Sequence, residues 1–317
     1  MAAPSSDRVM HAYYNTGVVT PKSAIERWPE LIGIAEQITR IGVSAQDCVR
    51  MVRNVGESPE SYQPVLQLKA AVHECLNEYP AGEFERLLLC YASEDSLPRL
   101  ETLPVANSVR ALFRKEFAYY TTARPGSLYL QACTYFFVTA CEIATLRRFP
   151  GGPMDWVISG IPRSWFAKIP ARDLPRTLFF LARKFGGLRP AFFMHVAPEP
   201  RSRALVIEKE VRRSYYRMAS SLIHQPEMKG ILCASWLHDP AMIKEFPHVA
   251  QLNEPYLEHG GMITTVGPAD PGSGFLQRSP ERRKRFESGE LRPMLGLALW
   301  PRKDAIDWAR QHPELDH

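Results

Sequence analysis

The chain has 317 residues, is 45% hydrophobic and 23% charged, and carries a formal net charge of +5. That composition excludes a disordered or fibrous chain and fits one large domain or two intimate ones. The modest positive balance does not indicate nucleic acid, which requires basic residues gathered on one face or interleaved with aromatics.

The first 190 residues read as mainly helical. Ala24 to Ile41 has helical apolar spacing, with Pro21 near its start. Ser44 followed by Asp47 has the spacing of a capping box, and Gly56 is the stop. Val65–Leu76 and Phe84–Tyr91 repeat the pattern. Val105–Tyr120 carries Val109, Leu112, Phe113, Phe117 and Tyr120 as one apolar stripe. Ser127–Leu146 is long enough to span a bilayer if helical, but it contains Gln131 and Glu142 and is followed by Arg147 and Arg148. The expectation is a buried helix and no membrane span, with the wall of a tunnel for a lipid-like chain as the sharper alternative. The six cysteines form no C-x-x-C pair and read as buried thiols of a reducing compartment. The opening residues have no apolar core of signal-peptide length, so the expected location is cytoplasmic.

Residues 149–175 hold five prolines and three glycines and read as an irregular connector, followed by a helix from Leu174 to Phe185 that stops at Gly186 and Gly187. Then the grammar changes. PAFFMHVAP (190–198) and ALVIEKE (204–210) read as two strands of a hairpin, followed by a helix with Val211, Tyr215, Met218 and Leu222 on one face. GILCASW (230–236) is a strand, then comes a helical stretch from Asp239 to about His259. MITTVG (262–267) and PMLGLALW (293–300) are strands, with a charged helix between them and a final helix from Asp304 to Gln311. The helix before GILCASW implies a parallel crossover. The expected class is α+β: a helical region over residues 1–188 followed by a mixed sheet flanked by helices over residues 189–317.

This order resembles the C-terminal two-thirds of the GNAT acyltransferase fold. Tyr256-Leu257-Glu258-His259-Gly260-Gly261 resembles the Tyr-x-x-x-Gly-Phe ending of a GNAT helix, with Gly261 in place of the aromatic. The likeness covers about residues 190–300. GNAT enzymes hold the pyrophosphate of coenzyme A in a glycine turn, R/Q-x-x-G-x-G/A, where backbone N–H groups and the helix dipole meet the anion. The stretch EKEVRRSYYRM has no such glycine. Arg212 and Arg213 are its positive charges, and Glu208 and Glu210 oppose an anion. A coenzyme A thioester or an acyl-carrier thioester is therefore the co-substrate that the resemblance implies, with no further cofactor required.

The strand GILCASW ends on Trp236, Leu237, His238, Asp239 and Pro240. His238 is a candidate general base for an amine, and Asp239-Pro240 makes a good helix start. Ser235 adds a hydroxyl, although a serine triad would require members on separate elements. Glu208 or Glu210, at the expected strand end, could take a proton instead; a solvated strand end is the plain alternative. Cys233 reads as a buried thiol beside the thioester, Trp236 as a wall of the acceptor pocket, and His195 and Tyr256 as substrate-facing. The histidines His195, His238 and His259 have no metal-ligand spacing, so no metal site is expected. The charged run Glu281–Arg285 reads as a solvated helix face, or as a dock for an acidic acyl carrier protein.

The function expected is transfer of an acyl group from a thioester to a small amine or amino-acid acceptor. The alternatives are a non-catalytic binding or scaffold protein built on a degenerate sheet of this kind, and a metal-dependent enzyme using the helical half.

Overall fold

The structure, a computed structural model, describes residues 28–56, 58–76, 79–122, 135–198, 201–269 and 280–316. The chain divides into two compact units, Met1–Pro150 with Ala197–Ser202, and Gly151–Val196 with Arg203–His317. The boundary expected near residue 188 therefore lies earlier, at Pro150–Gly151.

The first unit is helical. Its helices are α1 (Pro29–Arg40), α2 (Ala45–Asn54), α3 (Gln63–Cys75), α4 (Glu83–Glu101), α5 (Asn107–Thr122) and α6 (Tyr135–Ala144). A three-residue strand, β1 (Arg148–Pro150), follows. The capping box at α2 forms as the sequence predicts: Asp47 N–H donates to Ser44 Oγ, and Ser44 N–H donates to Asp47 Oδ2 at 3.0 Å. Only 135–144 of the long apolar segment is described as helix; 127–134 lies outside the described residues. Among the described residues, no helix is long and apolar enough to cross a membrane.

This unit buries charge. Arg86 is fully buried on α4 and donates to Glu83 Oε2 at 3.0 Å and to the carbonyls of Tyr120 (2.7 Å) and Thr121 (3.0 Å) on α5. Lys69 on α3 reaches buried Glu85 at 2.7 Å, Arg148 reaches Glu142 at 2.7 Å, and Arg201 reaches Glu116 at 3.1 Å. A buried charge is tolerable only with such partners, and each pair fixes how two segments sit.

The second unit contains five strands: β2 (Met154–Ser159), β3 (Ala191–Val196), β4 (Gly230–Ser235), β5 (Met262–Pro268) and β6 (Met294–Pro301). They lie side by side in the order β2-β3-β4-β6-β5. Its helices are α7 (Leu174–Phe180), α8 (Glu208–Ile223), α9 (Pro240–Glu245), α10 (Glu254–Glu258), α11 (Pro280–Glu287) and α12 (Arg302–Gln311). The chain is thus α+β, with helices first and a mixed sheet after.

The hairpin is not the one expected. The antiparallel partner of β3 is β2, from within the proline- and glycine-rich connector, in the register Asp155↔His195, Trp156↔Met194 and Val157↔Phe193. Residues 201–206 form a 3-10 turn, and Glu208 and Glu210 open α8 rather than finishing a strand. The physical reason is exposure. Val206 and Ile207 are 65% and 48% exposed, so this β-branched run has no face to bury and serves as a helix entry.

β3 and β4 form a parallel pair of the sheet, and α8 makes the crossover between them. Val211, Tyr215, Met218 and Leu222 are buried on one stripe of α8, as their spacing predicts. Alternation along the strands then sorts the core. On one face lie Trp156, Phe192, Cys233 and Trp300; Trp300 stands 5.9, 6.1 and 5.4 Å from the rings of Tyr215, Tyr256 and Trp308. On the other face, Ala191, Leu232, Leu297 and Leu299 pack with Ile161, Leu181 and Phe185.

Candidate functional site

The pairing of β3 with β4 covers only Phe192↔Ile231, Phe193↔Leu232 and Met194↔Cys233. Both strands run two residues farther, to Val196 and Ser235, held on their outer sides by β2 and β6. The ladder between the two parallel strands thus stops short of their ends. Around this opening stand most of the residues that the sequence singles out.

His238 follows β4 on a single 3-10 turn. Ser235 caps that turn, its Oγ accepting from Leu237 N–H at 3.2 Å, so this hydroxyl is already in structural use. Asp239 caps α9 through Ala241 N–H at 3.0 Å and also accepts from Met294 N–H at 2.7 Å. It therefore ties the turn to the start of β6. Gly296 on β6 lies directly under the histidine: a Cβ there would stand 2.6 Å from His238 Cβ. Only glycine leaves room for this crossing.

The His238 ring is 2% exposed and faces Asn253 Oδ1, 2.6 Å from its Nδ1. Asn253 Nδ2 donates to Leu237 O at 3.2 Å, which fixes the amide oxygen as an acceptor. Nδ1 therefore carries the proton, and Nε2 carries a lone pair with no hydrogen-bond partner. Burial pulls the pKa down to about 4, only partly offset by the Asn253 hydrogen bond. His238 is neutral at neutral pH, a weak base and a good acceptor.

Tyr256 is fully buried beside it, with ring centroids 5.6 Å apart, and its hydroxyl lies 4.0 Å from Met194 Sδ. Met194 belongs to the last rung before the opening. Burial first, then the nearby Tyr215 and Cys233, raise the Tyr256 phenol well above its usual range, so it stays protonated. Burial likewise pushes the Cys233 thiol up to about 12, which leaves it inert as a nucleophile. Trp236 is half-buried against Phe246, Met242 and Leu291. His195 stands on the far face of the sheet, its ring 4.6 Å from Phe193.

No family model, no curated protein and no solved structure matches the chain.

The remaining candidates lie apart from the opening. Glu208 is 62% exposed and 3.8 Å from Arg212, whose guanidinium is also 3.6 Å from Glu254. Arg213 is held by Glu210 at 2.6 Å. The two arginines that the sequence offers to a phosphate thus already face carboxylates. The same holds on α11, where Arg285 pairs with Glu245 and Glu290, and Arg283 with Glu287. Among the described residues, Glu254, Glu258 and His259 bring ligand atoms within 4.8 Å of one another. Arg212 already sets a positive charge against the first of them, and the group lies on α10 and its C-cap rather than in the helical half. Among the described cysteines, Cys75 is exposed and Cys48, Cys90, Cys141 and Cys233 are buried; all five are free thiols, and Cys133 lies outside the described residues.

Sequence reading singles out His238, Tyr256 and the strand end, because an imidazole and a helix-ending tyrosine stand out beside apolar runs. It misses Asn253, which orients the imidazole, and Asp155, a fully buried carboxylate on β2. The signal for Asp155 was a lone charge inside the apolar run MDWVIS.

Proposed function

We propose that the second unit is an acyltransferase of the GNAT kind, moving an acyl group from a thioester to a small amine or amino-acid acceptor. The observation that carries this reading is the shortened ladder between β3 and β4, joined by the crossover helix α8. Parallel strands that part near their ends offer main-chain groups to an extended amide chain, which adds to them as a strand would. The pantetheine arm common to coenzyme A and to acyl carrier proteins is such a chain.

In this reading the thioester carbonyl lies in the opening. Tyr256 is the acid for the departing thiol: its phenol is protonated and sits under the last rung at Met194. His238 accepts a hydrogen bond from bound substrate through Nε2, and Trp236 walls the acceptor. The donor's phosphates have no glycine turn to enter, and Arg212 and Arg213 are engaged with carboxylates. A carrier-borne thioester therefore suits the site better than free coenzyme A.

The test is thermal unfolding with acyl-pantetheine, acyl-coenzyme A and acyl carrier protein as separate probes. A ligand that binds only the folded state stabilises it by about 2.7 kcal/mol at a hundredfold excess over Kd. Acyl-pantetheine is expected to raise Tm, and a Tyr256→Phe variant to bind it equally while losing turnover. Absence of a shift with all three probes overturns the reading and favours a non-catalytic binding protein.

A further inference from the structure

We infer that Glu254, Glu258 and His259 form a binding site for one divalent transition-metal ion of the zinc class, built on α10 and its C-cap. The inference does not rest on the acyl-transfer reading. One oxygen of each carboxylate and one ring nitrogen of His259 lie within 4.8 Å of one another. Glu254 and Glu258 are four positions apart and share a face of α10. His259 leaves the helix at φ −122° and ψ 47°, and its ring joins the same pair. Its main chain is anchored, because His259 O accepts from the Nε1–H of fully buried Trp300 at 2.9 Å. Donors about 2.1 Å from a shared ion stand about 3–4 Å apart. The set closes to that spacing by small side-chain rotations, for which the exposed Glu258 has room.

What these groups lack elsewhere points to the ion. Among the described residues, Glu258 forms no ion pair, the His259 ring forms no hydrogen bond, and Glu254 meets Arg212 only at 3.6 Å. Two carboxylates at i and i+4 repel one another, and α10 is only five residues long. A divalent ion turns that repulsion into attraction. It displaces Arg212 from Glu254, and the guanidinium keeps Glu208 at 3.8 Å and the Trp308 ring at 6.0 Å. The donor set selects the class of metal. Mg2+ and Ca2+ take oxygen donors, whereas an imidazole beside carboxylates suits zinc and its transition-metal neighbours. His312 stands beside the site, its ring 6.5 Å from that of His259. It donates Nδ1–H to Trp308 O at 2.8 Å, so its neutral ring offers a second nitrogen lone pair at Nε2.

An ion at this place clasps a segment that the rest of the second unit depends on. Tyr256 lies between the two carboxylates on α10, and Asn253, which orients His238, is the residue just before them. The role that this placement gives the ion is to hold a short helix. Sequence spacing does not announce the site, because two glutamates one turn apart read as an ordinary solvated helix face.

The test is a titration of the whole protein, first stripped with a chelator, using Co2+ as the probe. Calorimetry, the visible spectrum and hydrogen exchange are the readouts. The expected result is one Co2+ per chain, displaced by Zn2+ but not by a large excess of Mg2+, with slowed exchange of the amides of 254–260. Glu258→Gln and His259→Gln are each expected to weaken binding by about tenfold or more, the loss produced even by removing a residue behind a ligand. Cys75 is an exposed thiol and the obvious competitor. A thiolate-to-cobalt band that vanishes in Cys75→Ser assigns the ion to that cysteine and overturns the site. So does an absence of binding, binding that survives both substitutions, or protection that appears elsewhere than 254–260. The exchange map of the wild-type protein decides even where a variant fails to fold. Acyl transfer is read separately: a metal bound at 254–259 in a protein that binds no thioester leaves this site standing and sinks only the acyl-transfer reading.

Discussion

The helical unit and the α8-facing side of the sheet handle buried polarity in opposite ways. The helical unit buries full charges and pairs them: Arg86 with Glu83, Lys69 with Glu85, Arg201 with Glu116. The face of the sheet toward α8 buries neutral groups, the phenols of Tyr215 and Tyr256, the His238 imidazole and the Asn253 amide, among the indoles of Trp300 and Trp308. Helices packed by their side chains can slide and rotate, and a buried ion pair removes that freedom because a misplaced partner is so costly. A sheet already has its register from main-chain hydrogen bonds. Its polar side chains are therefore left to set chemistry: which nitrogen carries a proton and which hydroxyl keeps one.

The contrast can be broken from either side. Its largest expected failure lies in the helical unit. Arg86→Ala removes the guanidinium from Glu83 and from two carbonyls of α5, and is expected to cost about 3–5 kcal/mol. Hydrogen exchange should show that loss in the amides of α4 and α5; protection unchanged there would mean that the pair is ornamental. In the second unit the corresponding effect appears only in acid. The His238 imidazole has a folded pKa of about 4 against an ordinary 6.5. Below 6.5 the unfolded ring takes up a proton that the folded ring refuses. Stability therefore falls as pH drops from 6.5 toward 4, by about 3 kcal/mol in all, and levels off below. Denaturant melts across that range should show the decline, and His238→Phe should flatten it. A variant that keeps the full decline would assign it elsewhere. A smaller effect is expected for Asn253→Ala, which strips the partner from His238 Nδ1 and the donor from Leu237 O. The cost is about 1–3 kcal/mol at neutral pH. Because the Asn253 hydrogen bond favours the charged ring, the same variant should carry the acid decline to still lower pH.

Much of this architecture was legible in the chain. The stripe of Val109, Phe113 and Phe117 gave α5, Ser44 and Asp47 gave the start of α2, and Gly186 marked the helix stop. The strands at 191, 230, 262 and 294 were each an apolar run between turn residues. What could not be read was pairing. MDWVIS sits between two glycine–proline clusters and looked like part of a connector, yet it supplies the partner of β3 and the buried Trp156. ALVIE carries the β-branched residues of a strand, but exposure of Val206 and Ile207 showed that composition alone does not make one. For the site, sequence could propose His238 and Tyr256 because both lie at element ends. It could not say that His195 is paired with Asp155 across the β2–β3 ladder, since that fact lives in the register between residues forty positions apart.

The wedge of space at Gly296 has an experimental use. It lets the His238 ring sit so deep that it stays neutral throughout the neutral range, with its tautomer pinned by Asn253. Its resonances should stand still across that range. The protein thus carries its own stationary marker, against which any movement of His195 on binding a ligand can be read in the same spectrum.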